Sequence, residues 1–487
     1  MVLQSILNEI QYDITAGNLE CEIENIVYDS RKAGPHSLFV CLKGHFTDGH
    51  SYAEQAYANG CRNFLVCDNI PVHSDSNIIR VTDTRTILST VSATFFSHPE
   101  KELKVIGITG TKGKTTTSFM LRSILEQAGY KVGLIGTNGV YIQDYYEKLV
   151  NTTPESYDLY RLMRLMADRG CTYLVMEVSS IGLKDERIKG LFFDYAIYTN
   201  LSPDHIGNNE HKDFEEYRYW KSVLFTRCRR SVLNLDDANV SFMAKGDSPI
   251  YYGENDRSDF RLLHSEQTMT NQSAGCAFSF MHNAATYDMT IHIPGLYNVY
   301  NALAAAAVAF DIGIDPNLIK KALAKVTVNG RMENVETGTD FSVIIDYAHN
   351  ALSFEKIYDS ISLYPHNRII GVFGSVGDKA QNRRYSMGKI AGEKFDFSIV
   401  TEDHTIKEPV SEVSAQIIQG IRDANGQYKQ IDDRGEAIRY AINMAKTGDI
   451  ILLLGYGHEK YTLRLNHKIP FDEREVVKSC CRMLKQQ

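Results

Sequence analysis

Residues 110–116, GTKGKTT, combine glycine, lysine and hydroxyl side chains at a spacing that suits phosphate binding. Glycines let backbone N–H groups close around phosphate oxygens, and Lys114 is placed to reach the terminal phosphates of a nucleotide. The Thr115 hydroxyl is of the kind that binds Mg²⁺ beside such a loop. The common spelling has glycine five residues before Gly113, where this chain has Ile108. A glycine-rich turn without a ligand is the alternative, and the lysine followed by hydroxyls argues against it.

An acid and an imidazole follow two apolar runs further along the chain. MEVSS places Glu177 at the end of one run, and TNLSPDH places His205 just after the next. On adjacent strand ends near Thr115, they could hold Mg²⁺ against a nucleotide. Each one alone is more often a cap or a hydrogen-bond partner. Lys221, in FEEYRYWKSVLF, is by composition a solvated charge on an amphipathic helix.

Alternating strands and helices must position these residues. KVIGIT is predicted as a buried strand, and TTSFMLRSILEQAGY as an amphipathic helix with Gly129 near its end. The loop then lies at a strand-to-helix turn, where the helix N-terminus adds partial positive charge. YLVMEVSS, YAIYTNLS and SVLNLDD are predicted as strands of a parallel sheet, which deliver polar residues to its carboxyl edge.

The same alternation extends in both directions. Residues 1–100 alternate short apolar runs with helical segments, and a later segment contains the strands SVIIDYA, RIIGVFGS, FSIVTED and DIILLLG. NVYNALAAAAVAFDIG is predicted as an alanine-rich helix closed by Gly313. The predicted fold class is α/β in three domains: a small N-terminal α/β domain (1–100), a central P-loop ATPase-like domain (101–329) and a C-terminal Rossmann-like domain (330–487).

Length and composition restrict the class of protein. The chain has 487 residues, more than one core usually supports, with apolar (43%) and charged (23%) fractions typical of soluble globular proteins. A net charge of −8 argues against nucleic acid as a partner. No apolar run approaches the roughly 20 residues of a membrane helix. The scattered cysteines suggest neither a disulfide framework nor a zinc site. We expect a cytoplasmic monomer that does not insert into membranes.

The loop GITGTKGKTTT resembles the ATP-binding loop of the Mur ligase family, which usually has asparagine at the position of Lys112. NTTPESYDLYRLM, IPGLYNVYNALAAAA, NGRMENV, IDYAHNALSFEKI and GYGHEKYT occur in the order found in that family. They are most similar to the branch that adds the third amino acid of the peptidoglycan stem. The resemblance implies an ATP-dependent acid–amino-acid ligase of cell-wall biogenesis, acting on UDP-MurNAc-L-Ala-D-Glu and a free amino acid.

The resemblance assigns catalytic and nucleotide-binding roles to particular residues. Lys114, Glu177, His205 and Lys221 would be catalytic. Thr115, Glu177, His205 and Lys221 would bind two Mg²⁺ ions, Lys221 as a carbamate formed with CO₂. The residues expected to contact ATP are Gly110, Thr111, Lys112, Gly113, Lys114, Thr115, Thr116, Asn298, Asn301, Arg331 and Asp346.

A second set of residues would hold the uridine-linked substrate. These are Ser30 and His45 for the uridine nucleotide, and Thr152, Thr153, Ser179 and Arg187 for the muramyl dipeptide. A guanidinium suits a carboxylate or diphosphate oxygen, although Arg187 could also form an ordinary salt bridge. The family has histidine where Ile181 stands, so one polar contact near the substrate is in doubt.

The implied reaction follows from the chemistry of carboxylates. An amine does not attack a carboxylate directly, so ATP first converts the D-glutamate γ-carboxyl to an acyl phosphate. The amine then adds, and the tetrahedral intermediate expels phosphate. Mg²⁺ and Lys114 would offset the charge that develops during phosphoryl transfer. Closure of the domains would exclude water from the reactive intermediate.

Departures from the family pattern bear on the amino acid that is added. Members that add diaminopimelate carry Asp-Asn-Pro-Arg where this chain has residues 403–406, DHTI, and Lys379 replaces a second arginine. A distal carboxylate thereby loses a bidentate partner. Glu459 and Asp403 could receive a distal ammonium, although Asp403 could simply cap a helix. We therefore expect L-lysine or ornithine in preference to diaminopimelate, with Lys379, Asp403, His404 and Glu459 as contacts.

Other functions stay open. Changes at Ile181, at 404–406 and at Tyr456, where lysine is usual, leave room for a Mur-family ligase with another amino acid or a natural-product substrate. A folate-type glutamate ligase would not be expected to carry the N-terminal segments DSR and GH. A non-catalytic nucleotide-binding partner protein would be expected to lack the metal ligands. The residues that argue against it are Lys114, Thr115, Glu177, His205 and Lys221.

Overall fold

The structure, a computed structural model, describes residues 1–44, 47–204, 206–207, 210–246, 248–270, 273–377, 381–404, 408–464 and 467–484. Five residues singled out by the sequence lie outside these ranges: His45, His205, Lys379, Thr405 and Ile406. The chain divides into two compact units, unit 1 (Met1–Ser258 and Ala304–Ile314) and unit 2 (Asp259–Leu303 and Asp315–Gln487). Within the ranges given above, no helix is long and apolar enough to cross a membrane.

The N-terminal part of unit 1 is a small α/β sheet. Its elements are α1 (Leu3–Ile6), β1 (Asp13–Ala16), β2 (Asn25–Val27), β3 (Ser37–Val40), α2 (Ala53–Ala58), β4 (Asn63–Val66), β5 (Asn77–Arg80) and α3 (Thr84–Phe95). The strand order is β1-β5-β4-β3-β2, with β1 antiparallel to β5 and the other pairs parallel. β3 and β4 are buried along their whole length, as the apolar runs SLFV and NFLV require.

The central part of unit 1 contains the phosphate loop. Its elements are β6 (Lys104–Thr109), α4 (Lys114–Gln127), β7 (Val132–Gly136), β8 (Gly139–Ile142), β9 (Tyr145–Glu147), α5 (Ser156–Asp168), β10 (Tyr173–Glu177), α6 (Ser180–Lys184), β11 (Phe193–Tyr198), α7 (Phe214–Val223), β12 (Cys228–Asn234), α8 (Val240–Met243) and β13 (Ile250–Gly253). The order is β13-β12-β11-β6-β10-β7-β8-β9. The strands from β13 to β7 are parallel, and β8 and β9 fold back as antiparallel strands.

Parallel register brings the predicted polar residues to one edge of this sheet. Glu177 at the end of β10 pairs in register with Ile108 of β6, and Tyr198 of β11 pairs with Thr109. The phosphate loop follows Thr109 directly. The carboxyl ends of β6, β10 and β11 therefore meet where α/β proteins place their sites.

Residues 260–291 depart from the expected strand–helix alternation. They form an antiparallel ribbon of β14 (Phe260–Thr270), β15 (Ser273–His282) and β16 (Ala285–Ile291). A two-residue turn with positive φ at Asn283 and Ala284 joins β15 to β16. So short a connection joins antiparallel strands, because parallel strands need a much longer crossover, usually a helix. The alanine-rich helix follows as α9 (Tyr297–Ile312), and α10 (Pro316–Leu323) comes next. Gly313, at φ +89°, follows the end of α9 as predicted.

The rest of unit 2 is a second parallel sheet covered by helices. Its elements are β17 (Glu333–Val335), β18 (Ser342–Asp346), α11 (Ala351–Ile361), β19 (Ile369–Phe373), α12 (Gln381–Lys394), β20 (Phe397–Val400), α13 (Val410–Asp423), β21 (Tyr428–Gln430), α14 (Arg434–Met444), β22 (Ile450–Leu454), β23 (Tyr461–Arg464), β24 (His467–Pro470) and α15 (Glu473–Leu484). The order is β17-β18-β22-β19-β20-β21, parallel except for β17, and β23 pairs with β24 as a hairpin. The strands predicted from SVIIDYA, RIIGVFGS, FSIVTED and DIILLLG are β18, β19, β20 and β22.

Candidate active site

The phosphate loop has a shape that only glycine allows. Gly110 has φ +149°, and a Cβ there would lie 1.9 Å from Thr199 Oγ1. Gly113 precedes α4 at φ +87°, and no side chain caps that helix. The N–H groups of the first turn of α4 therefore have no capping side chain, which is the arrangement that binds phosphate oxygens.

The end of β11 holds the loop from the opposite side. Thr111 N donates to Asn200 O at 2.8 Å, and Lys112 N donates to Asn200 Oδ1 at 3.0 Å. Thr199 Oγ1 donates to Lys112 O at 2.7 Å. The loop conformation is thus fixed by protein contacts before any ligand is considered.

Two lysines converge on the loop from different helices. Lys114 Nζ donates to Gly110 O at 2.8 Å and to Thr111 O at 3.1 Å. Lys221 Nζ, on α7, donates to Gly110 O at 2.9 Å, and its residue is only 1% exposed. The interpretation of Lys221 as a solvated charge is therefore wrong. Burial, and then the nearby Lys114 charge, hold the pKa of Lys221 well below its usual value, while Asp204 acts in the opposite direction.

Glu177 is buried at the end of β10, and its carboxylate is held in place. Thr137 donates its N–H to Glu177 Oε1 at 3.0 Å and its hydroxyl to Oε2 at 3.1 Å. Gly136 leaves room for this carboxylate, because a Cβ there would lie 2.2 Å from Oε1. Sequence reasoning missed Gly136, the last residue of β7, and Thr137, which follows it, because neither belongs to a recognisable motif.

The donor set at this edge fits Mg²⁺. Glu177 offers a buried carboxylate and Thr115 a hydroxyl, and hard oxygen ligands of this kind are those that Mg²⁺ takes in proteins. The Lys221 nitrogen would add an oxygen ligand only after conversion to a carbamate. His205 lies outside the described residues, and its role as a metal ligand stays a prediction.

Three residues assigned to the dipeptide surround Glu177. Thr153 Oγ1 donates to Glu177 O at 3.1 Å and accepts Ser179 N at 3.0 Å. Thr152 Oγ1 lies 3.1 Å from Thr137 Oγ1, which in turn binds the Glu177 carboxylate. The structure therefore brings Thr152, Thr153 and Ser179 together beside the candidate metal ligand.

The Arg187 side chain is mostly buried and contacts two acidic residues. Its Nε lies 3.0 Å from Glu155 Oε1, Nη2 donates to Asp185 Oδ2 at 2.9 Å, and Nη1 donates to Thr153 O at 3.0 Å. Glu155 and Asp185 were not singled out from the sequence, because isolated acidic residues there are indistinguishable from surface charges. Arg187 is held beside Thr153, and its contact with a ligand stays a prediction.

Of the two uridine-site candidates, only Ser30 lies in the described part of the chain. Its Oγ donates to Gln55 Oε1 at 2.7 Å, and the residue is 7% exposed. A binding role for this hydroxyl would require rearrangement of that contact, so the assignment stays a prediction.

A His/Cys/Asp group in the same N-terminal part has metal-ligand spacing but does not fit a metal. Within the ranges that the structure covers, His50, Cys67 and Asp68 form the only such group. His50 Nδ1 lies 2.6 Å from Asp48 Oδ1, and Nε2 accepts the backbone N–H groups of Cys67 and Asp68 at 3.1 Å each. Both ring nitrogens are used within the protein, so the group is structural.

In unit 2, the two asparagines expected near ATP are buried and bonded to each other. Asn301 Nδ2 donates to Asn298 Oδ1 at 2.8 Å, and Asn298 Nδ2 donates to Pro294 O at 2.7 Å. They fix the start of α9, and their contact with a nucleotide stays a prediction.

Asp346 and Arg331 form a second candidate nucleotide contact within unit 2. Asp346, at the end of β18, accepts Met332 N and Ala348 N at 2.8 Å each. Burial raises the pKa of Asp346, and the nearby Arg331 charge opposes that rise. The Arg331 guanidinium lies 5.2 Å from the centre of the Tyr347 ring. A buried carboxylate and a guanidinium therefore stand together at the carboxyl edge of this sheet.

Some of the residues expected to contact the amino acid are hydrogen-bonded to one another. His404 Nε2 lies 2.6 Å from Glu459 Oε2, and His404 Nδ1 accepts Leu463 N at 3.2 Å. The imidazole therefore donates its Nε2 proton to Glu459. Asp403 Oδ1 accepts His404 N at 2.7 Å. No side chain caps α13, whose N-cap is Pro409, so Asp403 is not the cap of that helix.

Comparison with known proteins identifies the family. Three models match in order: "Mur ligase family, catalytic domain" over residues 22–102, "Mur ligase middle domain" over 108–309, and "Mur ligase, glutamate ligase domain" over 330–457. A relative from Caldanaerobacter subterraneus subsp. tengcongensis is 41% identical over 481 residues, 98% of each chain. The chain belongs to the Mur ligase family.

Other Mur ligases agree with this assignment. The Caldanaerobacter protein and one from Clostridium perfringens, 39% identical over 486 residues (98% of this chain and 99% of the relative), are both named UDP-N-acetylmuramoyl-L-alanyl-D-glutamate–2,6-diaminopimelate ligase. A solved structure described by the same name has a TM-score of 0.71 at 25% identity and covers both chains fully.

These matches confirm the Mur ligase resemblance, the α/β fold class in three domains and the ATP-dependent ligase class. The domain boundaries and the roles of individual site residues stay predictions. The relatives do not support the expected preference for L-lysine, because their names specify diaminopimelate.

Proposed function

We propose that this Mur ligase joins an amino acid to the D-glutamate of UDP-MurNAc-L-Ala-D-Glu, as a cytoplasmic monomer in peptidoglycan precursor synthesis. The observation that carries the proposal is that Glu177 accepts hydrogen bonds both through its carboxylate and through its main-chain carbonyl oxygen. Its carboxylate, held by Thr137, is the candidate Mg²⁺ ligand, and its carbonyl oxygen accepts the hydroxyl of Thr153, which is assigned to the dipeptide. A ligase that phosphorylates an acid needs its metal ligands next to that acid.

The phosphate loop binds and orients ATP. The N–H groups at the start of α4 and the Lys114 ammonium face the position of the phosphates and offset the charge that grows during transfer. When bound by Thr115, Glu177 and modified Lys221, Mg²⁺ supplies Lewis-acid stabilisation of the phosphoryl oxygens. We expect two such ions.

Lys221 is suited to carbamate formation. Its lowered pKa increases the fraction of neutral amine, which is the form that attacks CO₂. An N–C bond then forms, one amine proton leaves to solvent, and the side chain changes from a buried cation to an anion. That change replaces the repulsion from Lys114 with attraction, and it supplies oxygen ligands.

Amide formation follows by the acyl-phosphate route. The D-glutamate γ-carboxylate attacks the γ-phosphorus of ATP, and ADP leaves. The neutral amine of the incoming amino acid adds to the acyl phosphate, loses a proton, and inorganic phosphate leaves. Arg187 and Thr153 would hold the dipeptide in place for both steps.

For the amino acid, we propose diaminopimelate first, in its meso form, because the relatives' names specify 2,6-diaminopimelate. L-lysine and ornithine are the other candidates, since residues 403–406 lack the arginine of the diaminopimelate pattern. All three carry a distal ammonium, for which Glu459 and Asp403 are the acidic candidates.

The test is product formation with purified enzyme. ADP release and the mass of the uridine-linked peptide would be measured with ATP, UDP-MurNAc-L-Ala-D-Glu and meso-diaminopimelate, L-lysine or L-ornithine in turn. UDP-MurNAc-L-Ala, which lacks the acceptor carboxylate, is the control. We expect an extended peptide with one of the three. Absence of ADP and of product with all of them would disprove the proposed function.

A further inference from the structure

Arg85 joins parts of unit 1 that lie far apart in sequence. It lies in the first turn of α3, with its side chain 20% exposed. Nε and Nη2 each donate to Lys43 O at 3.3 Å. Nη1 donates to Glu155 Oε2 and to Asp185 O, again at 3.3 Å each. One guanidinium thus contacts three segments.

Two of these partners are the acidic residues that hold Arg187. Glu155 binds Arg85 through Oε2 and Arg187 through Oε1. Asp185 binds Arg85 through its carbonyl oxygen and Arg187 through Oδ2. Arg85 and Arg187 therefore hold the same pair of acidic residues through different oxygen atoms.

The third partner belongs to the segment assigned to the uridine nucleotide. Lys43 comes two residues before His45 in the sequence, and the neighbouring Gly44 N donates to Thr47 O at 2.9 Å. Arg85 therefore connects Lys43 to Glu155 and, through it, to Arg187.

The charges in this group are balanced. Two guanidinium groups face the carboxylates of Glu155 and Asp185, so Arg85 neutralises part of the negative charge that Arg187 would otherwise face alone. Removing Arg85 leaves Glu155 Oε2 without this partner, so the carboxylate is free to turn and no longer holds Arg187 in one position.

We propose that Arg85 is a positioning residue for the uridine-linked substrate, which it serves by fixing Arg187 through Glu155 and the backbone at Lys43 through its carbonyl oxygen. The inference rests on the proposed function, because Arg187 is assigned to the dipeptide there. It predicts a selective effect on the acceptor substrate, since the Arg85 contacts described above are to Lys43, Glu155 and Asp185 and none of them is to the phosphate loop, Glu177 or Lys221.

The test compares Arg85→Ala, Arg85→Lys and Glu155→Gln with Arg164→Ala as the matched control. Arg164 also pairs with a carboxylate, Glu102, through Nη1 at 2.6 Å and Nη2 at 3.2 Å, but away from this group. KM for each substrate and kcat would be measured, together with calorimetric binding of UDP-MurNAc-L-Ala-D-Glu and the melting temperature.

For Arg85→Ala we expect KM and Kd for the uridine-linked substrate to rise about tenfold, with KM for ATP within about twofold. Arg85→Lys should recover part of the loss, since one ammonium can replace only some of the contacts. Glu155→Gln, which keeps the shape of the side chain, should act in the same direction even if Arg85→Ala does not fold. Arg164→Ala should leave both constants unchanged.

Equal rises in KM for ATP and the uridine-linked substrate, or unchanged KM and Kd in both Arg85→Lys and Glu155→Gln, would overturn the inference. Failure of the proposed function looks different: the unaltered enzyme itself would neither bind nor extend UDP-MurNAc-L-Ala-D-Glu.

Discussion

Lys114 and Lys221 donate hydrogen bonds to a single carbonyl oxygen, that of Gly110, at 2.8 and 2.9 Å. Two ammonium groups on one acceptor repel each other, and Lys221 is also removed from water. Both effects favour the neutral amine at Lys221. The arrangement is costly for an unmodified lysine and favourable for one that becomes an anion.

Lys221→Ala should abolish ligase activity, because it removes both the amine and the carbamate that it would form. Unaltered enzyme in CO₂-depleted buffer should lose activity and regain it on addition of bicarbonate. Since the pKa of Lys221 is lowered, this recovery should occur at a lower pH than an ordinary lysine would require. ¹³C NMR with labelled bicarbonate should show a carbamate signal that the variant lacks.

The control for Lys221 is Lys212→Ala, whose side chain is 76% exposed. It should keep both activity and the carbamate signal. Full activity of Lys221→Ala, or indifference of the unaltered enzyme to CO₂, would rule out the carbamate.

Gly136→Ala should displace the Glu177 carboxylate, because the added Cβ would lie 2.2 Å from Oε1. We expect the Mg²⁺ concentration for half-maximal activity to rise about tenfold, as when a group that orients a metal ligand is lost. Gly246→Ala, where the nearest atom to the added Cβ is 3.9 Å away, is the control. An unchanged Mg²⁺ requirement would show that Glu177 does not bind the metal.

Glu216 lies at the start of α7, the helix that carries Lys221. We expect the stability that Glu216 contributes to the fold to be lost in acid. The Lys212 N–H at 2.8 Å and then the Lys184 ammonium at 3.0 Å lower the pKa of Glu216 to about 2. A lowered carboxyl pKa stabilises the fold above the unfolded-state value of about 4.3, and this contribution is lost as pH falls toward 2.

Urea denaturation of Glu216→Gln should therefore show a free energy of unfolding about 1 kcal/mol lower at pH 7. The difference from the unaltered protein should shrink as pH falls below about 4. Glu215→Gln, at a side chain 68% exposed, should show neither effect. A deficit that is constant with pH would mean that the charge of Glu216 is not responsible.

His404→Asn should change amino acid selection, because it removes the proton that His404 donates to Glu459. The freed carboxylate can then pair with a distal ammonium, so the ratio of kcat/KM for L-lysine to that for L-norleucine should rise about tenfold. His467→Asn, on exposed β24, is the control. An unchanged ratio would show that Glu459 does not face the distal end of the amino acid.

Much of the site could be predicted because parallel strands carry their polar residues to a common edge. The GTKGKTT loop follows one apolar run predicted as a buried strand and Glu177 ends another, so their juxtaposition follows from topology. The burial of Lys221 could not be inferred from composition, since its helix otherwise looks amphipathic. Only the family resemblance distinguished it from the other lysines.

The parts that could not be predicted depend on contacts between distant segments. Arg85 and Glu155 lie 70 residues apart, and neither belongs to a motif. Gly136 matters because of a carboxylate from another strand. The ribbon of β14, β15 and β16 was not expected, because strand–helix units precede and follow it along the chain.

In the proposed function, Glu177 serves ATP through its carboxylate and the acceptor through the bond between its carbonyl oxygen and Thr153, so the two halves of the site share a single residue. A compound that binds between Thr153 and the Glu177 carbonyl would weaken binding of both the acceptor and the nucleotide, although it occupies only the acceptor side of the site. A substitution of Thr153 that conferred resistance would also weaken binding of both substrates. The hydrogen bond between Thr153 and Glu177 is therefore an attractive target for inhibitor design.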